Sequence, residues 1–350
     1  MLLLFKPRDQ KYVGEGNLPF GSYDDTSEWL PITRYLEQGA AEFPDKIMFR
    51  VADRDGNLIN THSYRETNEW ANRVANGLIK DYGIKKGDRL GIYMLNSSEY
   101  VISIIAIHKA GAVQVPINKD EKGDRLAYII NYSEMKALVV DPESIPMLNE
   151  IAKNLDKLEH IFVTGDPDAV PESIGGIKTL PYSVFDKYQG DNPGLDVKVS
   201  DVERCMFTSG TTGMPKGVSR NHGGVILTVR GYIQQQGVRS GDVLMSVLTL
   251  GHANAQVMCL FTAIGAGATA VFYPRFSASN FWKWAAECGA TCVNMLGAVS
   301  EYLWAAEPSE WDKKHRVRIV LSGPAPKQIK EFQERFSTRV IDGYGSTEMG

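Results

Sequence analysis

Gly83-Ile84-Lys85-Lys86-Gly87-Asp88-Arg89-Leu90 returns 154 residues later as Gly237-Val238-Arg239-Ser240-Gly241-Asp242-Val243-Leu244. A self-match of this length marks an internal repeat, and the repeat decides the fold. After each octapeptide come a short apolar strand, a polar loop, an apolar helix, a Gly-Ala turn and a second strand ending at proline. In the first copy these are 90–95, Asn96-Ser97-Ser98, 100–109, Gly111-Ala112 and 113–116. The second copy closes at Pro274, 158 residues after Pro116, so it carries a small insertion. Upstream, Ser63-Tyr64-Arg65-Glu66 is a capping box opening a helix with Trp70, Ala71, Val74, Ala75, Leu78 and Ile79 on one face, and 222–236 is its counterpart. A hairpin precedes each helix: 46–51 with 57–62, turning at Asp55-Gly56, and 204–208 with 216–219. The alternation predicts an α/β protein of two pseudo-repeated α/β subdomains, with mostly parallel sheets flanked by helices. The expected divisions are a leading segment over 1–44, a first subdomain over 45–198 and a second over 199–350.

Composition closes off other classes. With 43% hydrophobic and 23% charged residues, the 350-residue chain has the makings of a folded core and is neither disordered nor fibrous. Lys and Arg total 38 against 42 Asp and Glu, with no basic block, so no nucleic-acid partner is expected. Cys205, Cys259, Cys288 and Cys292 are too few and too irregularly spaced for a disulfide framework. They read as reduced thiols of a cytoplasmic protein, with peripheral membrane contact left open. Met1-Leu2-Leu3-Leu4-Phe5 has no basic stretch before it and meets Lys6 at once, which is not the pattern of an export signal. Residues 243–274 contain no Asp, Glu, Lys or Arg and match a bilayer span in length. His252, Asn254, Gln256 and the break at Gly265-Ala266-Gly267 give strand, loop, buried helix and strand instead, so no transmembrane segment is expected.

The two copies differ most at one place. Where the first turns with Arg54-Asp55-Gly56-Asn57, the second inserts Ser209-Gly210-Thr211-Thr212-Gly213-Met214-Pro215 before Lys216. Glycines let backbone N–H groups turn toward an anion, hydroxyls add donors, and no acid inside the loop neutralises Lys216. That combination is a polyphosphate cradle; the bland alternative is a flexible Ser/Thr-rich turn. A Walker A loop needs Gly before the Lys and Ser or Thr after it, and Pro215 and Gly217 stand there. A dinucleotide fingerprint fails too, because Gly265-Ala266-Gly267 leads from helix to strand.

Thr208-Ser209-Gly210-Thr211-Thr212-Gly213-Met214-Pro215-Lys216-Gly217 resembles the signature loop of the adenylate-forming superfamily of acyl-CoA synthetases, peptide-synthetase adenylation domains and firefly luciferase. Asp342-Gly343-Tyr344-Gly345-Ser346-Thr347-Glu348-Met349-Gly350 resembles their Tyr-Gly-x-Thr-Glu segment. The resemblance runs from about Pro31 to the last residue, and over 276–303 it is closest to the carnitine/crotonobetaine-CoA ligase and fatty-acid-transport branches. It implies ATP-dependent activation of a carboxylic acid to an acyl-adenylate, with Mg2+, and transfer to coenzyme A. The alternatives are a noncatalytic nucleotide- or acyl-binding module of the same fold, or an adenylation enzyme serving a carrier protein.

The same resemblance implies roles for named residues. Thr208, Ser209, Gly210, Thr211, Thr212, Gly213 and Lys216 would hold the β- and γ-phosphates. Gly323, Pro324 and Ala325, with Asp342, Gly343, Tyr344, Gly345 and Ser346, would line the nucleotide, Tyr344 stacking on adenine unless it is a core aromatic at a strand end. Ser322 and Pro324 depart from the Gly-Gly-Ala or Gly-Ala-Ala usual there. Thr347 would meet the α-phosphate and the acyl carboxylate, and Glu348 would bind magnesium. His252 falls where relatives carry an aromatic-His pair gating the acyl pocket, although Gly251 precedes it here, and Asn254, Asn294 and Gly297 are further acyl-side positions. Residues 250–256 hold no acid, which favours a simple carboxylate over an amino acid. Thr208, Lys216, His252, Thr347 and Glu348 form the implied catalytic set. Trp282, Trp284 and Trp304 are expected in the core, and Thr164-Gly165-Asp166 copies the family's ribose motif in letters only. Relatives continue past this point with a barrel and a mobile lysine-bearing domain, so the chain reads as an amino-terminal fragment with little or no turnover of its own.

Overall fold

The computed structural model describes residues 28–208 and 213–348. Most of the leading segment, including Met1 to Phe5, lies outside the described residues, as do Ser209, Gly210, Thr211, Thr212, Met349 and Gly350. The chain opens with helix α1 (Ile32–Glu42), hairpin β1 (Ile47–Ala52) and β2 (Leu58–Ser63), and helix α2 (Tyr64–Lys80). There follow β3 (Arg89–Tyr93), α3 (Ser98–Lys109), β4 (Val113–Pro116), α4 (Gly123–Tyr132), β5 (Ala137–Val140), α5 (Ile145–Ile151), β6 (His160–Val163), β7 (Ser173–Ile174) and β8 (Ile177–Pro181). The second copy begins with hairpin β9 (Val202–Thr208) and β10 (Lys216–Asn221), α6 (His222–Gln236) and β11 (Val243–Ser246). A π-helix (Asn254–Phe261) runs into α7 (Thr262–Ala266), then β12 (Thr269–Phe272), α8 (Phe281–Glu287), β13 (Cys292–Leu296), α9 (Gly297–Ala305), β14 (Ile319–Gly323), α10 (Ile329–Phe336) and β15 (Arg339–Asp342).

The repeat is matched bond for bond. Asp88 Oδ2 accepts from Lys85 N at 2.8 Å, and Asp242 Oδ2 accepts from Arg239 N at 2.7 Å. Val113 N donates to Asp88 O at 2.7 Å and Thr269 N to Asp242 O at 3.1 Å, tying each second strand to the aspartate before the first. The turns between helix and second strand need a left-handed residue, and Gly111 and Gly267 supply it with φ of 66° and 64°. Ser63 and Glu66 form the expected capping box on α2, while Asn221 caps α6 by accepting from Gly224 N at 2.8 Å.

Among the described residues the strands form two sheets, in the orders β15-β14-β13-β11-β12-β1-β2 and β10-β9-β4-β3-β5-β6-β8-β7. Read in opposite directions the two orders are the same, apart from the added β7. The expected division at 198/199 marks the repeat in the sequence but does not divide the sheets. The first copy's hairpin pairs through β1 with β12 of the second, and the second copy's hairpin pairs through β9 with β4 of the first. This reciprocal exchange has a local reason: a hairpin presents a bare edge on each side, and nothing in its own pattern of alternation selects which parallel strand fills it.

Alternation along the strands fills three cores. Leu244, Ala270, Cys292 and Ile319 point into the central core with α2, α3, α6 and α7, while their neighbours Met245, Val271, Val293 and Val320 pack outward on α8, α9 and α10. On the other sheet Ala137 and Val139 face the centre, and Leu138 and Val140 face α4 and α5. Helices therefore lie between the sheets and on both outer faces. Helix α3 is buried nearly all round, including Ile102, Ile104, Ile105 and Ile107, each contributing about 1.5–3 kcal/mol on burial. Trp282 and Trp284 are buried, whereas Trp304 is half-buried beneath the Arg335 guanidinium, 5.7 Å from the ring centre. Cys259, Cys288 and Cys292 are also buried; burial pushes the thiols of Cys288 and Cys292 up to about 11. No helix among the described residues is long and apolar enough to cross a membrane.

Candidate functional site

The two sheets meet at the carboxyl ends of their parallel strands. Asn96, just past β3, donates through Nδ2 to Leu248 O at 2.9 Å and Tyr273 O at 3.1 Å, and accepts from Leu250 N at 2.7 Å. Asn118, two residues past β4, places Nδ2 3.3 Å from Nε2 of His252. Arg54, in the turn after β1, pairs with Glu143, which follows β5. Carboxyl ends of open α/β sheets are where such folds bind ligands, because loops there can vary while the strands hold them in place.

From this seam the predicted residues form a continuous line. His252 leads into the π-helix, and Asn254 at its start accepts from Asn294 Nδ2. Asn294 lies on β13 and is 2% exposed. It is the register partner of Leu321 on β14, and two residues on Leu296 faces Gly323. Gly297 opens α9 beneath Pro324; a Cβ on Gly297 would come within 2.7 Å of Pro324 Cδ, so glycine is required. The loops after β14 and β15 are tied together by Gly343 N donating to Ser322 O at 3.0 Å and Ala325 N to Asp342 Oδ1 at 2.8 Å. Gly323 and Gly343 touch through backbone, for a Cβ on Gly323 would stand 2.5 Å from Gly343 O. Tyr344 is 88% exposed, so it is not a core aromatic. Gly345 is exposed, Ser346 and Thr347 are half-buried, and the Glu348 carboxylate faces solvent.

The described residues of the phosphate loop, Thr208 and 213–217, stand at the other end of the seam. Thr208 closes β9 and is the register partner of Lys216, which opens β10. Gln114 of β4 pairs with Arg204 of β9, so the strand continuations bring Asn118 and Thr208 out at the same edge. Gly213 is exposed, with no atom of the described residues within 4 Å of an added Cβ, Pro215 is buried, and the Lys216 side chain is exposed. Among the described residues no hydrogen bond joins Thr208 or Lys216 to Thr347 or Glu348. Thr164-Gly165-Asp166 follows β6, which occupies the place of β14 in the other sheet, so it lies outside this line.

Burial shapes the electrostatics. Partial desolvation holds the His252 imidazole below its ordinary value, against a smaller upward pull from Asp120, so the ring is neutral at pH 7. Beneath the hairpin lies a cluster that the sequence did not reveal. Asn221 pairs with Val202 and Arg220 with Arg204, which leaves Glu203 as the extra residue of a β-bulge. The bulge turns Glu203 inward, 3.0 Å from His108 Nε2, while its other oxygen lies 3.2 Å from Arg204 Nη1. Burial by itself raises that carboxyl, but Arg204 and His108 outweigh it and hold Glu203 below the usual range. His222, edge-on to His108 at 5.2 Å, is pushed down to about 3, first by burial and then by His108. The available signals were Glu203-Arg204 as adjacent opposite charges in an apolar strand, and a histidine at the first helical position.

Two open clefts, of about 510 and 420 Å³, lie at the opposite, amino ends of the strands. Three ion pairs line them: Lys136 with Asp88 at 2.8 Å, Lys157 with Glu134, and Arg318 with Asp242 at 2.5 Å.

Comparison with known proteins agrees with this layout. Crotonobetaine/carnitine–CoA ligase of Escherichia coli is 31% identical over 308 residues, covering 85% of this chain and 57% of that protein. The Shigella sonnei protein of the same name is 30% identical over the same spans. The chain therefore covers little more than half the length of these relatives. Among solved structures, the anthranilate CoA ligase AuaEII in complex with anthranoyl-AMP has the same fold, with a TM-score of 0.82 at 24% identity over 91% of this chain and 60% of that one. The inhibitor-bound N-terminal domain of FACL13 from Mycobacterium tuberculosis also shares it, with a TM-score of 0.78 at 24% identity over 91% of this chain and 76% of that one. The profile of the AMP-binding enzymes matches residues 36–350, spanning both copies, both exchanged hairpins and every loop at the seam, and the chain belongs to that family.

Proposed function

We propose that this chain binds ATP and a carboxylic acid at the seam between its sheets and activates the acid as an acyl-adenylate, within an AMP-forming acid–thiol ligase that uses coenzyme A as acceptor. The observation that carries this reading is Tyr344: a phenol ring 88% exposed beside the backbone contact of Gly323 and Gly343. An aromatic face left in water beside close-packed backbone suits stacking on a flat base. The names of the curated relatives support coenzyme A as the thiol.

The chemical difficulty is that two anions must meet, so catalysis rests on positioning and on donors around the phosphates. We assign the β- and γ-phosphates to the 208–216 loop, where Lys216 supplies the cation and Thr208 a hydroxyl. Thr347 orients the α-phosphate. His252, neutral because of its desolvation, offers a ring N–H to the acid without protonating it. A carboxylate oxygen then bonds to the α-phosphorus while the bridging bond to the β-phosphate breaks, and pyrophosphate departs. In the second half-reaction the thiol sulfur attacks the acyl carbonyl, AMP leaves, and the thiol proton passes to solvent.

Among the described residues no group of three or more His, Cys, Asp or Glu side chains could cage a metal ion. The exposed Glu348 carboxylate, which follows Thr347 in the chain, is the oxygen donor that would hold Mg2+ here. Bound there, the ion supplies charge neutralisation between the phosphates. The test of the adenine assignment is calorimetric titration with a nonhydrolysable acyl-sulfamoyl-adenosine. Tyr344→Ala should weaken binding about tenfold, the worth of one stacked ring; unchanged affinity would refute the assignment.

A further inference from the structure

We propose that Asn96 is the positioning residue for the acyl end of the site, setting the His252 loop from the opposite sheet; this rests on the adenylation reading above. A side-chain amide has two N–H donors and an acceptor oxygen, and Asn96 uses all of these elements at once. It is 6% exposed, and its three bonds, to Leu248 O, Tyr273 O and Leu250 N, all cross from the first copy to the second. Aspartate would turn two donors into repelled acceptors, and an aliphatic residue would leave Leu248 O, Tyr273 O and Leu250 N without their partner.

The geometry is that of an axis. Asn96 and Leu250 are equivalent positions of the repeat, 154 residues apart, and they are bonded to each other. Equivalent residues meet only where a two-fold axis passes, so the pseudo-symmetry axis of the molecule runs through this bond. The symmetry breaks there: the first copy gives a side chain and the second gives backbone, which makes the latch one-sided.

What the latch holds is the approach to His252. Leu250 O accepts from Gln256 Nε2 at 2.6 Å, and His252 N donates to Thr249 O at 3.1 Å, so Leu248 to Gln256 is a tight turn hung from Asn96 at its amino end. Gly251 lies against the other copy: a Cβ there would stand 3.4 Å from Asn118 Cα and Ile117 O. Releasing Asn96 therefore frees His252 from Asn118 and leaves the loops after β14 and β15 as they are.

The full chain, wild type and Asn96→Ala, is titrated by calorimetry with ATP and with acyl-sulfamoyl-adenosines of increasing acyl length, while the His252 imidazole is titrated by NMR. The expected result is a loss of about tenfold in affinity for the acyl-adenylate analogues, with ATP affinity changed less than about twofold. The His252 pKa should rise toward its ordinary value while that of His160, which lies on β6 in the other sheet, stays put. Ser97→Ala, which removes the cap that accepts from Tyr100 N, serves as a control for general destabilisation and should leave both readouts unchanged. Should Asn96→Ala fail to fold, Asn96→Ser carries the same test. Equal loss of ATP and analogue binding, or an unmoved His252 titration, would overturn the proposal. Failure of the wild type to bind either probe would remove the adenylation reading itself, and the proposal with it.

Discussion

Thr208 and Lys216 are register partners at the turn end of the β9–β10 hairpin, the end that faces the seam with the partner sheet. The sheet thus fixes both ends of the loop that joins these two strands. Lys216 is exposed and adds little to the core, so Lys216→Ala should leave the melting temperature nearly unchanged. Its ammonium makes charge-assisted contacts of about 1.5–3 kcal/mol, so ATP affinity should fall roughly 10- to 100-fold by calorimetry. Equal affinity in the two proteins would remove the cation from the phosphate site.

Two glycines of the candidate site should respond in opposite ways. At Gly323 an added Cβ would stand 2.5 Å from the Gly343 carbonyl oxygen, a backbone atom fixed by the bond from Gly343 N to Ser322 O. Gly323→Ala should therefore cost about 1–3 kcal/mol in urea unfolding and weaken acyl-adenylate analogues with it. At Gly213 no atom of the described residues lies within 4 Å of an added Cβ, so Gly213→Ala should leave unfolding unchanged. If both variants unfold like the wild type, the contact between the two loops is not as tight as described.

Stability should decline on acidification before the carboxylates titrate. His62, His160, His222, His252 and His315 are all held below their ordinary value, chiefly by desolvation. Below about pH 6.5 the unfolded chain takes up protons that the folded one refuses, so their contribution is whole above that pH and is lost as pH falls toward the folded values, about 3 for His222. Each such histidine steepens the slope by up to about 1.4 kcal/mol per pH unit. Glu203, also held down, adds its loss only in the more acid range. Urea midpoints measured from pH 8 to pH 5 should fall, and His222→Asn should flatten the curve; a level profile in the wild type would contradict the burial of neutral imidazoles.

Fold and site should separate by sheet end. Asp242 accepts from Arg239 N at 2.7 Å, Thr291 Oγ1 at 2.8 Å and Arg318 Nη2 at 2.5 Å, all at the amino ends of the strands. Asp242→Ala should lower unfolding stability by about 1–3 kcal/mol and leave the affinity for acyl-adenylate analogues intact in the folded protein. A selective loss of affinity with stability preserved would place a ligand at the wrong end.

Much of this architecture could be read before folding was considered. The repeat, the helix over 222–236, the strand over 113–116 and the capping box at Ser63 all follow local rules of period and capping, and the structure has them at those positions. The exchange of hairpins was not legible, because alternation within a hairpin says which face is buried and not which sheet it joins. Nor did a continuous apolar run announce the π-helix at Asn254–Phe261, since it has no period to read. Asn96 read only as part of a polar loop, and Asn118 carried no signal of its own; their weight comes from facing the other copy, a relation that no window of sequence contains. Glu203 was hidden for a related reason, because a bulge reverses the face that alternation assigns it.

The central claim is that one ligand bridges the carboxyl ends of both sheets. Hydrogen–deuterium exchange of the full chain, with and without a saturating acyl-sulfamoyl-adenosine, tests it directly. Protection is predicted together in peptides covering 208–217, 248–256, 322–326 and 342–348, with no change around Asp88, Lys157 or Arg318. Protection confined to those amino-end clefts, or to one sheet alone, would contradict the account.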